Sequence, residues 1–554
     1  MKTLLTLIVI LLLFSTANVY SQVDSTTLNS SSITSNITLS RSITYLMKGF
    51  NYVQSGATIT IEAGTKIFGD FNTTGTLIIQ RGGKIYANGQ VNDPILFTSN
   101  KPAGQRKAGD WGGIIILGRS GINTSTGVDS AEIEGFGAGL GPIYGGQPRI
   151  DNDSSGLLRY VRIEFPGVNL TGVSGNEING LTMGGVGSKT VIDYVQVSYS
   201  GDDSFEWFGG TVNCKHLISY KALDDDWDCD NGFRGKVQFG LSVRDSSYAD
   251  VSSSNGFEID NNNNSPSNFN SPRTQPIFSN MTVIGPYVTT SAVVNPLFQR
   301  GGHLRRNNLA SIYNSIIMSW RVGLRFDGSG VGNAAQADSI QIRNNIMAGN
   351  VKLADSTGTG SFSPQTWLQT SSFENSVYSD NSSVMLNSPF NIYPDAPLPG
   401  NNVNNWMPDN GSPALSGSSF NNPNLNGFEN VTFRGAFGSV NWSLEWAQFN
   451  PREYNIIGIS QISSVIPERF TLDQNYPNPF NPSTTINFSL PNSGLVSLKV
   501  YDISGKEIAN LVNENLTVGT YEYKFNAASL SSGIYFYTLK SDNITETKKM
   551  LLVK

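Results

Sequence analysis

The chain is poor in cysteine, histidine and charge. Its 554 residues include two cysteines, two histidines and only 14% Asp, Glu, Lys and Arg. Two histidines make a histidine-based metal centre improbable. Acidic residues outnumber basic ones by 43 to 37, for a net charge of −6 and a pI near 5.2. A nucleic-acid partner therefore has no electrostatic footprint. Beyond the first residues there is no run of 18 apolar side chains, so no integral membrane span is expected. Gly135–Gly139 and Gly184–Gly187 are glycine-rich, but neither runs into Gly-Lys-Ser/Thr or sits in a βαβ unit, which excludes a phosphate loop.

Glycine, by contrast, is plentiful at 57 residues, with heavy Ser, Thr and Asn. That composition fits many tight turns between short strands. At the N-terminus, Met1-Lys2 precedes an apolar run from Leu4 to Phe14 and then Ser15-Thr16-Ala17. This reads as a signal peptide over residues 1–21, cut after Ser21 to leave Gln22. The remaining chain is too long for one compact core and implies at least two domains. In an oxidising exterior Cys214 and Cys229 can pair, closing a loop worth about 3 kcal/mol in the chain-entropy model.

Near the C-terminus, Pro477, Pro479 and Pro482 hold the chain extended. Apolar residues then alternate: Ile486, Phe488 and Leu490; Val496, Leu498 and Val500; Tyr521, Tyr523 and Phe525; Tyr535, Tyr537 and Leu539. Period two in several short runs predicts a small β-sandwich. The motifs Asn475-Tyr476-Pro477-Asn478-Pro479-Phe480, Ser504-Gly505-Lys506 and Gly533-Ile534-Tyr535, with a basic terminal strand, closely resemble the type A C-terminal sorting domain of the type IX secretion system. The resemblance covers residues 467–554. It implies export across the outer membrane and handling by the type IX machinery and its sortase. The mature protein is then expected to be secreted or held at the cell surface.

The body carries internal echoes. Thr58-Ile59-Thr60-Ile61 and Gly64-Thr65-Lys66-Ile67 match Thr76-Leu77-Ile78-Ile79 and Gly82-Gly83-Lys84-Ile85 at an offset of 18 residues. Tyr160-Val161-Arg162-Ile163 matches Tyr194-Val195-Gln196-Val197 at an offset of 34. Short strands separated by Gly, Asn and Asp stack most simply as parallel coils around one long core. The chain is thus read as all-β, a right-handed parallel β-helix of pectate-lyase-like architecture followed by a small C-terminal β-sandwich. The segments GTLIIQRGGKIYANG and NDPILFTS also resemble the first coils of secreted β-helix proteins. The expected boundaries are a β-helix over 22–350, an irregular cap over 351–450 and a linker over 451–466. Trp442, Trp446 and Phe449 are expected to close the end of the stack.

Between Asp202 and Asp230 lie Asp202, Asp203, Glu206, Asp224, Asp225, Asp226, Asp228 and Asp230, against Lys215 and Lys221. Eight minus two leaves −6, as much as the whole chain carries. Asp203-Ser204-Phe205-Glu206, Asn231-Gly232-Phe233-Arg234 and Asn255-Gly256-Phe257-Glu258 look like successive coils. They predict Phe205, Phe233 and Phe257 in a ladder inside, with Glu206, Arg234 and Glu258 aligned outside. Three readings stand. Asp224, Asp225, Asp226, Asp228 and Asp230 can ligate Ca²⁺, which takes six to eight oxygens at flexible geometry. Asp202 and Asp203, with Arg234, can serve a polysaccharide lyase or glycoside hydrolase. Gly201-Asp202-Asp203 resembles the paired aspartates of polygalacturonase-like hydrolases, although their other motifs are missing and Gly301-Gly302-His303 and Arg305 are loose echoes. Or the acids only cap turns. The function expected is a surface β-helix protein that binds polysaccharide or builds surface structure or adhesion, with catalysis as the alternative.

Overall fold

Short runs with apolar side chains on alternate positions become strands, and the Gly, Asn and Asp between them become corners. The structure is a computed structural model describing residues 25–554 apart from 30, 102–103, 137–138, 171–176, 263–266, 393–404, 453–458, 464–465, 517, 528–529 and 542–543. The expected signal peptide, residues 1–21, lies outside the described residues, as do 453–458 and 464–465 of the expected linker. Two compact units are present, one spanning Thr26–Ile456 and one holding Ile457–Lys554.

The larger unit is a right-handed parallel β-helix. One wall is a ten-stranded parallel sheet, here the site sheet. In order it contains Phe50–Val53, Thr76–Ile79, Gly113–Leu117, Leu181–Gly184, Phe205–Phe208, Trp227–Asp230, Ser254–Ile259, Phe298–Leu304, Val322–Asp327 and Lys352–Thr357. The other walls belong to a 17-stranded sheet whose last parallel rung is Ser376–Tyr378. From Gly156–Glu164 onward its strands bend at one left-handed residue each: Tyr160, Tyr194, His216, Phe239 and Asn280, with φ of 49°, 56°, 50°, 62° and 56°. Pairing skips these residues; Arg159 faces Asp193 and Val161 faces Val195. A non-glycine residue pays roughly 1–2 kcal/mol for this conformation. Stacking offsets it, because the bends align the rings of Tyr160 and Tyr194 (4.5 Å), Tyr194 and His216 (4.1 Å), and His216 and Phe239 (5.0 Å).

Inside, the site sheet stacks like on like. Leu77, Ile114, Leu181, Phe205, Trp227 and Phe257 form one buried column, and Ile79, Ile116, Met183, Trp207, Cys229 and Ile259 the next. The phrase-based ladder is therefore corrected. Phe205 is followed by Trp227 and then Phe257, in steps of 22 and 30 residues. Phe233 lies just past its strand and stacks on Trp207 at 5.2 Å. The repeated Asn-Gly-Phe wording marks a turn in one coil and a strand in the other.

Cys214 and Cys229 are free thiols, 1% and 0% exposed. This corrects the expected pairing. They sit in different sheets, Cys214 between Ile192 and Val237 and Cys229 between Trp207 and Ile259, each serving as a small apolar core residue. Burial pushes the Cys214 thiol up to about 12.

The end of the stack is closed by residues between the last strand of the site sheet and the last rung, Ser376–Tyr378. Phe326 meets Phe362 at 5.4 Å and Trp367 at 5.5 Å, and Trp367 meets Phe373 at 5.0 Å. Trp442, Trp446 and Phe449, expected there, lie instead along the flank. Trp446 is edge-on to Tyr160 and Tyr194, Trp442 to His216, and Phe449 to Tyr220. They belong to a strap over residues 417–452 that runs back along the coils. Gln238 donates to the Glu429 carbonyl and accepts from its N–H, both at 2.8 Å. Gln196 does the same with Gln448, at 2.7 and 2.8 Å.

The smaller unit is a sandwich of two antiparallel four-stranded sheets. Its core holds Ile486, Phe488, Leu490, Val496, Leu498, Val500, Tyr521, Tyr523, Tyr537 and Leu539. The sorting motif guards its edge strand Ile544–Leu552. The Asn478 amide donates to the Lys549 carbonyl (3.3 Å) and accepts from the Leu551 N–H (2.9 Å), while Phe480, 2% exposed, bridges Leu552. Asn475 donates to the Pro477 carbonyl and to Thr484. Gly505, at φ 80°, completes the turn in which Asp502 accepts from the Ser504 and Lys506 N–H groups. Tyr535 donates to the Ser531 carbonyl, two residues before Gly533.

Candidate functional site

Residues alternate across each strand of the site sheet, so the neighbours of the buried columns form an outward column. It reads Ile78, Ile115, Thr182, Glu206, Asp228, Glu258, His303, Arg325 and Asp355. The first part is apolar and covered. Ile78, Ile115, Leu117 and Phe208 pack with Ile122, Ile133 and Tyr144 from the long loop after Gly113–Leu117. Where that cover ends, the column turns acidic.

The turn before Phe205–Phe208 adds Asp202 and Asp203, and the turn before Trp227–Asp230 adds Asp224 and Asp225. Three overlapping triads result among the described residues: Asp202, Asp203 and Asp224; Asp203, Glu206 and Asp228; Asp225, Asp228 and Glu258. In each, one oxygen per carboxylate lies within 4.8 Å of the others. Asp203 accepts from the Asp225 N–H at 2.7 Å, and Asp225 from the Asn255 N–H at 2.5 Å. The Asn255 amide donates to Glu258 at 3.2 Å. These bonds tie adjacent turns together without cancelling their charge.

Burial, then neighbouring carboxylates, hold Asp202, Asp203, Glu206, Asp224, Asp225 and Asp228 well above the usual carboxylate range. Glu258 goes the other way. Burial would raise it, but the Arg305 guanidinium, His303 and Arg306 outweigh that and hold it low. Arg305 bonds both Glu258 and Asp260, and His303 lies 3.6 Å from Glu258 and 3.1 Å from Asp327.

Hard carboxylate oxygens from adjacent strands and the turns before them fit Ca²⁺, which takes six to eight oxygens at flexible geometry. Two polar atoms add to the fit. The hydroxyl of Thr182, 1% exposed and next to Glu206 in the column, is buried without a partner, and so is Oδ1 of Asp224.

Of the five aspartates expected as metal ligands, Asp224, Asp225 and Asp228 enter the triads. Asp226 turns inward, where it is fully buried, accepts from Ser219 at 2.5 Å and pairs with Arg244 at 3.1 Å. Asp230 stands beyond the triads, capped by the Asn231 N–H at 2.6 Å; burial and then Asp260 push it up to about 8. Arg234 is not beside Asp202 and Asp203. It lies 3.4 Å from Asp151, which also pairs with Arg149. The guanidinium that bonds a triad carboxylate is that of Arg305, on Glu258, with Arg306 and His303 nearby. One ligand candidate escaped sequence reasoning: Glu134, carried by the covering loop. Its carboxyl bonds Glu206 and accepts from Asn179 at 3.3 Å, and burial raises it. Seventy-two residues separate Glu134 from Glu206, and no periodic signal links them.

A family model described as a pectate-lyase-like beta helix domain matches residues 31–386, and one described as a secretion system C-terminal sorting domain matches 474–554. No curated protein matches the chain. Among solved structures, the full-length tailspike protein 2 from Escherichia coli O157:H7 bacteriophage CAB120 is 12% identical over 92% of this chain and 64% of its own length, with a TM-score of 0.21. The Dettilon tailspike protein is 10% identical over 91% of this chain and 87% of its own, with a TM-score of 0.22. This chain thus spans less than two thirds of the first tailspike. The chain belongs to the pectate-lyase-like β-helix family, and its C-terminal sorting domain marks it as a secreted or cell-surface protein that engages the type IX secretion machinery.

Proposed function

We propose that the acidic strip of the site sheet holds Ca²⁺ and, with it, forms the binding face of a surface polysaccharide-binding protein. The observation that carries this is the chain of three interlocking carboxylate triads. Six of its seven carboxyls are pushed toward the neutral form by burial and then by one another's charge. A divalent ion supplies a counter-charge and lets them ionise. The residues that would hold it are Asp202, Asp203, Glu206, Asp224, Asp225, Asp228 and Glu258. On this reading the type IX sortase acts on the tail and the β-helix is displayed or released outside the cell. The test is calorimetric titration of Ca²⁺ into the full mature chain and into Asp203→Asn/Asp225→Asn/Asp228→Asn. Binding that the triple change abolishes supports the site; no binding to the unaltered chain refutes it.

A second reading rests on a different observation. Asp228 and Glu258 share a triad, yet burial and neighbouring carboxylates push Asp228 up while Arg305 and His303 hold Glu258 low. Such opposition is what a general acid and base require. Cleavage of a glycan that survives EDTA and is lost in both Asp228→Asn and Glu258→Gln would favour catalysis over binding.

A further inference from the structure

Past Glu258 the outward column changes sign. His303 follows, then Arg325, and beside them runs a groove of about 350 Å³ lined by Gln299, Arg321, Val322, Arg325, Lys352 and Asp355, among others. Arg325 makes a two-pronged bond to Asp355, at 2.6 and 2.5 Å, and so neutralises it. Lys352 reaches Asp355 only at 3.8 Å. Arg321 is exposed, and its guanidinium has no ion pair among the described residues. Arg300, in register with Val322 and Lys352, has a buried Nε without a partner. The groove therefore keeps surplus positive charge from Arg321 and Lys352 around the one carboxylate in its lining, Asp355, and Arg300 stands one strand away. It lies two strand spacings, about 10 Å, along the column from Glu258.

We infer that this groove is an anion subsite for the sulfate half-ester of a sulfated polysaccharide, an inference that rests on the polysaccharide reading above. Arg321 and Lys352, with Arg300 on the neighbouring strand, suit a tetrahedral group with three free oxygens and permanent charge. A planar carboxylate is satisfied by one guanidinium fork, and here Arg325 already spends its fork on Asp355. Arg300 also joins the two zones, donating to the Asn255 side chain at 3.4 Å, while Asn255 bonds Asp225 and Glu258.

The test is affinity electrophoresis of the full mature chain in gels containing carrageenan, agarose or polygalacturonate, each with Ca²⁺ and with EDTA. The variants are Arg321→Gln/Lys352→Gln and a control of equal charge change, Lys48→Gln/Lys189→Gln. Carrageenan is expected to retard the chain, and the groove variant to weaken this about ten- to a hundredfold while the control does not. Retardation by carrageenan in EDTA, lost in the groove variant, supports the subsite even if the Ca²⁺ reading fails. Ca²⁺-dependent retardation by agarose and carrageenan alike, which the groove variant leaves intact for both, supports the Ca²⁺ reading and overturns the subsite. Polygalacturonate binding as strong as carrageenan assigns the groove to carboxylates and overturns the sulfate assignment. Equal loss in the control, or no retardation by any polymer, also overturns it.

Discussion

Asp225 and Asp226 are chain neighbours with opposite duties. Asp225 faces out toward Asp228 and Glu258, while Asp226 faces the Arg244 guanidinium, with both partners of that pair fully buried. Removing one partner of a buried pair leaves the other charge stranded, at a cost of roughly 3–5 kcal/mol. Asp226→Ala is therefore expected to lower unfolding stability by that amount in urea titration. Asp225→Asn is expected to weaken Ca²⁺ binding with a much smaller stability change. Equal stability loss in both variants would contradict the division. The acidic strip also sets a pH dependence. Its carboxyls titrate near 4 when unfolded, but burial and mutual repulsion raise them in the fold, and neighbouring Asp230 rises to about 8. Between those limits the folded chain holds more protons than the unfolded one, so stability is fullest below about pH 4 and falls as pH rises. Glu258, held low, contributes the opposite slope only at acid pH, where it is protonated. In EDTA the melting temperature is thus expected to be higher at pH 5 than at pH 8, and Ca²⁺ to remove most of the difference. A flat or rising profile in EDTA would argue against the strip as described.

At the scale of elements, strand alternation was readable from the chain because side chains on a strand have only two directions. The sandwich core residues Ile486 to Leu539 and the coil echo of Tyr160 with Tyr194 both appear where period and offset put them. Coil length was not readable in the same way. Turns of unequal size make the steps 22 and 30 residues, so a shared phrase at Phe233 pointed to the wrong rung, and Trp227 occupies it. For the same reason Arg234 was placed with the acids although it belongs to a corner near Asp151. The strap was hidden for another reason: it has no period of its own and binds through side-chain amides of the coils. Trp446, fully buried against Tyr160 and Tyr194, anchors it. Trp446→Ala is expected to cost about 3–5 kcal/mol and to speed proteolysis within 417–452 ahead of the coils. Cleavage of coils and strap together would mean that the strap is not a separate layer. On the sorting unit, Asn478→Ala is expected to free the edge of Ile544–Leu552 and promote association, visible as a larger species in size-exclusion chromatography.

Among the described residues the two largest cores differ in kind, one continuous along the coils and one inside the small sandwich. Only the first carries the acidic strip. A ligand stabilises what it binds by RT ln(1 + [L]/Kd), about 2.7 kcal/mol at a hundredfold excess over Kd. Ca²⁺ sites of extracellular modules commonly have Kd of about 10⁻⁴–10⁻³ M, so millimolar Ca²⁺ outside the cell is enough to matter. Differential scanning calorimetry of the full chain is therefore expected to resolve two transitions, with Ca²⁺ raising the one that belongs to Thr26–Ile456 and leaving that of Ile457–Lys554 unmoved. Asp203→Asn/Asp225→Asn/Asp228→Asn should abolish the shift without merging the transitions. If Ca²⁺ raised both, or raised the sandwich alone, the ion would have to act outside the triads. The order of the outer face gives this result its meaning: an apolar stretch under its own loop, then carboxylates, then guanidinium groups. On the two proposals above, that order sets a cation site and an anion site on one wall of a protein whose sorting domain marks it as secreted or surface-held, where a divalent ion and charged polymers are met.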